Sequence, residues 1–558
     1  MSSAGALGEL ARARVLERIW ERDAALWKSD PAHQAIITSS LGWLSVPRWT
    51  RERAGELVAF AREIRPEFDD VVVLGMGGSS LCSEVLRGAF PPREGWPRLR
   101  VLDSTLPGAV AALEQSLDLT RSLFVVASKS GTTTEPVMFQ KYFWDRVRRA
   151  RGEEAGRSFI AVTDPATKLE REALRDGYRH VFLNPSDIGG RYSALSFFGM
   201  VPAAIAGIDV GTFLDRAIAA ADRCSASSPV ESNPAAALGA ALGAQSRAGR
   251  DKVTIVASGR LRGLGLWIEQ LVAESTGKEG KGILPIALEP LGSPEVYASD
   301  RLFVHIAIEG EQDAGELERV AKLEAAGHPV LRRALADPLD LGAEFFVWEL
   351  ATAVAGWFLG INPFDQPNVQ DSKDNTKRLL DEFKAKGTLP SAPRLGGSGG
   401  LELFGAAERA GSDARDVLGR LFASAREGDY VALLAFIPET EERNARFASI
   451  RASIMRATRL ATTLGYGPRF LHSTGQLHKG GADNGVFIQI TEGAGGDVPI
   501  PGEPFGFGVL AAAQAQGDFE ALLSRGRRAV RVQLANVDSG IGELAAALEE
   551  ALEGNVTR

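Results

Sequence analysis

Between Val125 and Val137 the chain reads VVASKSGTTTEPV: a short apolar run, a turn of hydroxyl and glycine residues with one lysine, then an acid and the start of a helix. A strand-to-helix turn of that composition aims backbone N–H groups and hydroxyls at one point, and the helix N-terminus adds positive partial charge. Ser128, Lys129, Ser130, Thr132 and Thr133, with Glu135 closing the turn, are therefore candidate ligands of a dianion. The turn lacks the G-x-x-x-x-G-K-[ST] pattern, so a monophosphate is expected rather than a nucleoside triphosphate. The competing reading is a solvated turn that caps a helix.

Other stretches carry complementary chemistry. Gly75-Met76-Gly77-Gly78-Ser79-Ser80 follows the apolar run DVVVL, and Gly78 and Ser79 would form a second hydroxyl-lined helix start that one substrate could span. It partly mimics a dinucleotide fingerprint, but its sixth position is Ser80, not glycine, which weakens a nicotinamide-dehydrogenase reading. In Gly189-Gly190-Arg191 the glycines permit close backbone approach, and a guanidinium held there could stabilise a developing oxyanion. Glu274, in AESTGK after an apolar helical run, could serve as a base toward a carbon acid; a helix-terminal ion pair is the commoner role for such a residue.

The elements that must position these loops follow from apolar patterning. Asp70–Leu74, Leu99–Leu102, Leu123–Ala127 and Phe159–Val162 are short apolar runs separated by helical stretches, as in a parallel sheet covered on both faces. The pattern restarts at Val253–Ala257 and Leu302–Ile308, and again at Tyr430–Phe436, Val486–Ile490 and Val530–Leu534. The expected fold is α/β, with two doubly wound parallel-sheet units and a C-terminal α/β section. The corresponding division is an N-terminal helical segment at 1–50, units at 51–215 and 216–386, a Gly/Pro/Ser-rich exposed connector at 387–400, and the last section at 401–558.

At 558 residues the chain needs more than one core. A net charge of -8 gives no reason to expect nucleic acid or an anionic membrane as partner. Cys82 and Cys224 are the sole cysteines, with no C-x-x-C and no Cys/His cluster, so neither disulfides nor a structural metal are expected. The charged N-terminus lacks a secretory signal's apolar core, and a cytoplasmic protein is expected. Leu341–Gly360 carries Glu344 and Glu349, which favours a buried helix over a membrane span.

In chain order, LGMGGSS, SKSGTTTEP, SDIGGRYSALSFFGM, AESTGK and FDQPNVQDSK make residues 70–380 resemble the phosphoglucose isomerase family, built from sugar-isomerase (SIS) domains. The resemblance implies reversible isomerisation of glucose 6-phosphate and fructose 6-phosphate through ring opening and a cis-enediolate, with no cofactor and no metal. It places phosphate binding on Ser128, Lys129, Ser130 and Thr133, with Gly78 and Ser79 in the neighbouring turn. It places enediolate stabilisation on Arg191, proton transfer between C1 and C2 on Glu274, substrate contact on Gln366 and ring opening on Lys373. A homodimer is implied as well.

The family's ring-opening histidine, in a Gly-Gln-His context before the Gln…Lys motif, has no match there. The histidines of LHSTGQLHKGG lie far downstream, as in the isomerase half of bifunctional transaldolase–phosphoglucose isomerase proteins. His478 is the expected acid/base for ring opening and His472 the alternative, because imidazole titrates near neutrality. A non-catalytic SIS-type regulator would need the hydroxyl turn but not Glu274, Arg191 and Lys373 together. Acceptance of mannose 6-phosphate stays open.

Overall fold

Continuous Val and Phe runs form strands here because both faces of each central strand are covered, so no alternation of polar residues is required. The computed structural model describes residues 3–257, 259–390, 392–493 and 495–556. In chain order the strands are β1 (Asp70–Leu74), β2 (Arg98–Leu102), β3 (Ser122–Ala127), β4 (Phe159–Thr163), β5 (His180–Leu183), β6 (Lys252–Ala257), β7 (Leu284–Ile286), β8 (Arg301–Ile308), β9 (Val330–Leu335), β10 (Arg394–Ser398), β11 (Leu401–Gly405), β12 (Tyr430–Phe436), β13 (Ala461–Tyr466), β14 (Gly485–Glu492) and β15 (Arg528–Leu534).

They build three sheets, ordered β2-β1-β3-β4-β5, β7-β6-β8-β9 and β10-β11-β15-β14-β12-β13. The first two are wholly parallel. In the third, β10 and β11 run antiparallel along one edge and the other four strands are parallel. Val71, Val72, Val73 and Leu74 of β1 are fully buried, as their uninterrupted apolar run requires.

The stretch expected to be an exposed connector is not all loop. Arg394–Ser398 pairs with Leu401–Phe404, and Gly399 turns the chain at φ 59°. An edge strand hydrogen-bonds on one side only, so it accepts the glycines that a central strand would not. Gly397 sits so close to the Leu401 carbonyl that a Cβ would lie 2.4 Å from it.

Helix Leu341–Leu359 is buried nearly throughout and packs on Pro234–Arg247, where a Cβ on Gly239 would lie 2.6 Å from the Ala351 carbonyl oxygen. No helix among the described residues is long and apolar enough to cross a membrane. N-terminal helices lie against this core: the Trp20 indole donates to the Cys224 carbonyl at 2.8 Å and the Trp27 indole to that of Ala353 at 2.9 Å.

Candidate active site

In open parallel sheets ligands sit beyond the carboxyl ends of strands, where adjacent connections diverge. In the first sheet that point lies between β1 and β3, whose following turns are Gly75–Ser80 and Ser128–Thr133. The loop after β5 brings Gly190 against the first turn; a Cβ on Gly78 would lie 2.0 Å from the Gly190 carbonyl oxygen. Ser193 locks the contact, donating to the Gly190 carbonyl at 2.6 Å and to that of Gly78 at 3.3 Å.

Within the Ser128–Thr133 turn, Gly131 takes φ 66°, and a Cβ there would meet the Leu169 backbone nitrogen at 2.8 Å. Ser130, Thr132, Thr133 and Glu135 line a cleft of about 460 Å³, faced by Lys373, His472 and Gln514. Ser130 and Thr132 hydroxyls are 3.0 Å apart, and both residues are exposed. Lys373 projects from helix Val369–Lys386 and makes no hydrogen bond or ion pair among the described residues.

Two side chains expected to bind substrate, Lys129 of the phosphate turn and Ser79 of the neighbouring turn, are used otherwise. The Lys129 ammonium pairs with Asp164 and donates to the Ser186 carbonyl at 2.9 Å, so its charge is spent beside the turn rather than in the cleft. The Ser79 hydroxyl closes its own turn, accepting from the Met76 N–H at 2.9 Å and donating to the Met76 carbonyl at 3.0 Å. Ser128 is buried and donates to the Thr133 hydroxyl at 3.2 Å, which positions Thr133.

Arg191, 3% exposed, is held on every side. Its Nε donates to Ser275 Oγ at 2.7 Å, Nη1 to Gln366 Oε1 at 3.0 Å, and Nη2 to the Pro363 and Asp365 carbonyls at 2.8 and 2.9 Å. Glu274 Oε1 lies 3.5 Å from the same Nη1. Behind this group, buried Lys278 donates to Asp365 Oδ1 at 2.6 Å, and burial, reinforced by the Arg191 charge, pushes its ammonium down to about 8.

Gln270 joins this group to the cleft: its amide donates to Glu274 Oε2 at 3.2 Å and to the His472 carbonyl at 2.7 Å. Gly77, at φ 59°, makes room for both, since a Cβ would lie 2.9 Å from the Gln270 amide nitrogen and from His472 Cβ. His472 Nε2 is 3.0 Å from Glu135 Oε1, which also accepts from Gln514 Nε2 at 2.7 Å. Gln514 Oε1 in turn accepts from Thr105 at 2.7 Å. Burial raises the Glu135 carboxyl, but the charge and hydrogen bond of His472, with Lys373 further off, outweigh it and hold the group below its ordinary value. The short turn bearing His472 is anchored by Arg469, which donates to Glu439 at 2.9 Å and sits 3.6 Å from Asp103.

His478, the histidine expected to open the ring, is in the core. It is 2% exposed, its ring is packed among Tyr430, Phe470 and Phe487, and neither ring nitrogen has a partner among the described residues. Burial, with Lys479 and Arg527 nearby, lowers its pKa well below 6.5 and keeps it neutral. His472 and His478 are six residues apart, but the intervening helical turn Gly475–Gly480 carries His478 inward while His472 ends on the cleft. His478→Phe should therefore leave kcat near its normal value. The unfolded chain takes up a proton below about pH 6.5 that the folded chain refuses, so stability is lost on acidification, and the variant should lose less melting temperature between about pH 7.5 and about pH 5.

The family resemblance singled out Glu274, Arg191, Gln366 and Lys373, and the fold brings the first three into one contact group and the fourth onto the adjoining cleft. Gln270, Gln514 and Thr105 were not visible beforehand, since none of them belongs to either glycine- and hydroxyl-rich turn or to one of the motifs.

The model of phosphoglucose isomerase matches residues 52–282. A glucose-6-phosphate isomerase of Symbiobacterium thermophilum is 33% identical over 396 residues, covering 62% of this chain and 88% of that one. The chain belongs to the phosphoglucose isomerase family. Another member, from Leptospira interrogans, is 30% identical over 410 residues, covering 64% and 92% of the two chains. Among solved structures, a hypothetical protein from Thermus thermophilus superposes at TM-score 0.58 with 27% identity, over 68% of this chain and 97% of that chain. A glucose-6-phosphate isomerase from Chlamydia trachomatis shares the fold, at TM-score 0.56 and 19% identity, over 68% of this chain and 86% of the other. The matched stretch supplies Ser130 to Glu135 of the cleft; Lys373 comes from helix Val369–Lys386 and the histidine from the 401–558 section.

Proposed function

We propose that this chain interconverts glucose 6-phosphate and fructose 6-phosphate, with its active site at the junction of 51–215 and 216–386 and a histidine supplied from 401–558. The observation that carries the reading is the Arg191–Glu274 contact at 3.5 Å, tied through Gln270 to the His472 end of the hydroxyl-lined cleft.

The phosphoryl group would sit on Ser130, Thr132 and Thr133, held by hydroxyls, backbone N–H groups and the start of helix Thr134–Arg151. Lys373, which lines the same cleft and is unpaired among the described residues, adds the charge that Lys129 does not. His472, oriented by Glu135, protonates the ring oxygen while the anomeric hydroxyl passes its proton to solvent, which leaves the open-chain aldehyde. Glu274 then takes the C2 proton and electron density moves onto the carbonyl oxygen to form the enediolate; the same proton returns at C1 as the O2 proton passes to O1, which leaves the C2 ketone. Arg191 is fixed before substrate arrives, so it can meet the developing charge without reorganising. Gln366, on the same guanidinium, would contact the sugar hydroxyls.

Further parts of the reading are a homodimer, a cytoplasmic location consistent with two free buried cysteines, and descent from the isomerase half of a transaldolase fusion. A coupled assay of glucose 6-phosphate formation from fructose 6-phosphate, run with a chelator present, should show turnover on the order of 1–10³ s⁻¹. Mannose 6-phosphate belongs in a parallel arm. Absence of turnover with sugar-phosphate binding intact would leave a binding protein instead.

A further inference from the structure

A second cavity, of about 580 Å³ and with no lining residue in common with the cleft, lies on the third sheet. That sheet has its own divergence point: β13 lies on one side of β12 and β14 on the other, so the carboxyl ends of β12 and β14 are where a ligand site is expected. Phe436, which ends β12, and Thr491, paired with it near the end of β14, line the cavity.

Register shows how its floor is made. Phe404, Arg531 and Gln489 lie side by side on β11, β15 and β14, and Gln533, Thr491 and Phe436 form the row two residues on, so all six share one face of the sheet. Ala511, Ala512 and Ala515 of helix Phe507–Ser524 form one wall, Leu389 and Pro390 another, and Leu106 with Pro107 a third. Small and apolar walls over a floor with a few polar groups are the usual make-up of a small-molecule site, and the volume is in the usual range.

Arg531 is the polar centre. A charged residue in the run VRVQL is unusual for a strand whose neighbours are buried valines. Its Nε donates to Gln489 Oε1 at 2.8 Å and its guanidinium lies 4.7 Å from the Phe519 ring centre, but it forms no ion pair among the described residues. Desolvation pushes it down to about 10, with Glu520 and Asp518 only partly opposing. The acids at the rim do not neutralise it. Asp497 Oδ1 accepts from the Val498 and Gly508 N–H groups, and Glu492 lies three residues along β14 from the position opposite Arg531, on the other side of the pleat.

We propose that this cavity is a second ligand site, which takes a small organic anion with a flat apolar body, its carboxylate or phosphate on Arg531 and its body between Phe404, Phe436 and the alanine wall. The site is independent of the isomerase reading. Gln514, on the same helix as the alanine wall, faces Glu135 of the cleft, and Phe383 of the second cavity is on the helix that carries Lys373, so the two sites share two helices but no lining residue.

The test uses anilinonaphthalene sulfonate as the probe and the uncharged phenylnaphthylamine as its control, titrated by fluorescence into the whole, active protein. One saturable sulfonate site is expected. Arg531→Met should weaken the sulfonate about tenfold or more, the scale of a hydrogen bond to a charged group, and leave the neutral probe unchanged. Ala512 is exposed at the rim, so Ala512→Trp should block both probes while isomerase turnover stays normal, which keeps the test valid if the arginine variant folds poorly. Naphthoate and naphthyl phosphate as competitors distinguish a carboxylate from a phosphate ligand, and displacement by either supports the site. Probe binding that survives Ala512→Trp, equal loss of both probes in Arg531→Met, or no displacement by either competitor would overturn it.

Discussion

Glu274→Gln is expected to lower kcat by about 10²–10⁴, the range of a lost general base, while sugar-phosphate binding stays nearly intact. Binding should survive because the hydroxyl turn that would hold the phosphate makes no contact with Glu274, and an amide keeps the size of the carboxylate and can still accept from Gln270. The commoner role for a helix-terminal Glu is to hold an arginine in place, but Arg191 does not need it. Ser275, Gln366 and the Pro363 and Asp365 carbonyls already fix that guanidinium, and the 3.5 Å separation from Glu274 is longer than any of those bonds. The measurement that separates the roles is exchange of the sugar's C2 proton with deuterated solvent, followed by NMR, beside calorimetric binding of the sugar phosphate. If exchange and kcat both persist near their normal values, the carboxylate has no part in moving the proton. If binding is lost along with kcat, Glu274 is structural.

How far the sequence could be read differs between strands and side chains. Central strands such as β1, β3 and β12 are nearly continuous apolar runs, because both their faces are covered and a polar side chain there needs a buried partner. Those that escaped are mostly edges or short pieces. Strand β5 exposes His180 and Leu183, β7 is three residues with a proline, β9 is interrupted by the consecutive Arg332 and Arg333, and β10 is glycine-rich. Each pairs on one side only, so packing imposes little pattern on it. In the site, the loops were legible because an α/β fold puts chemistry after its strands. Which side chain turns into the cleft was not. Lys129 and Ser130 are neighbours of equal promise in the motif, yet a carboxylate at Asp164 draws the lysine away while the serine stays on the cleft. The same limit applies to His472 and His478, whose surroundings come from strands and helices far away in sequence.

His472→Asn should lower the conversion of cyclic hexose phosphate by about 10², at the low end for loss of an acid/base group. The argument rests on what faces the ring. His472 is half-buried on the cleft, its Nε2 is 3.0 Å from Glu135, and Gln514 and Thr105 hold that carboxylate from behind, so the imidazole has one orientation. Asparagine keeps a polar group of similar reach but cannot carry a proton at neutral pH. A loss of kcat alone would not prove the role, because any distortion of the cleft would also lower it. Ring opening, however, has its own signature. An enzyme that opens and closes the ring also exchanges the α and β anomers, and that reaction involves no proton transfer at carbon. Exchange spectroscopy of the two anomers should show their interconversion slowed in His472→Asn and largely preserved in Glu274→Gln, whereas C2 exchange fails in the second variant whatever the state of the ring. Glu135→Gln, which leaves the histidine in place but removes the charge that orients it, should fall on the His472 side of that division. Anomer exchange at the full rate in His472→Asn would assign ring opening to another group, and Lys373, which lines the same cleft, would then be the group to replace next.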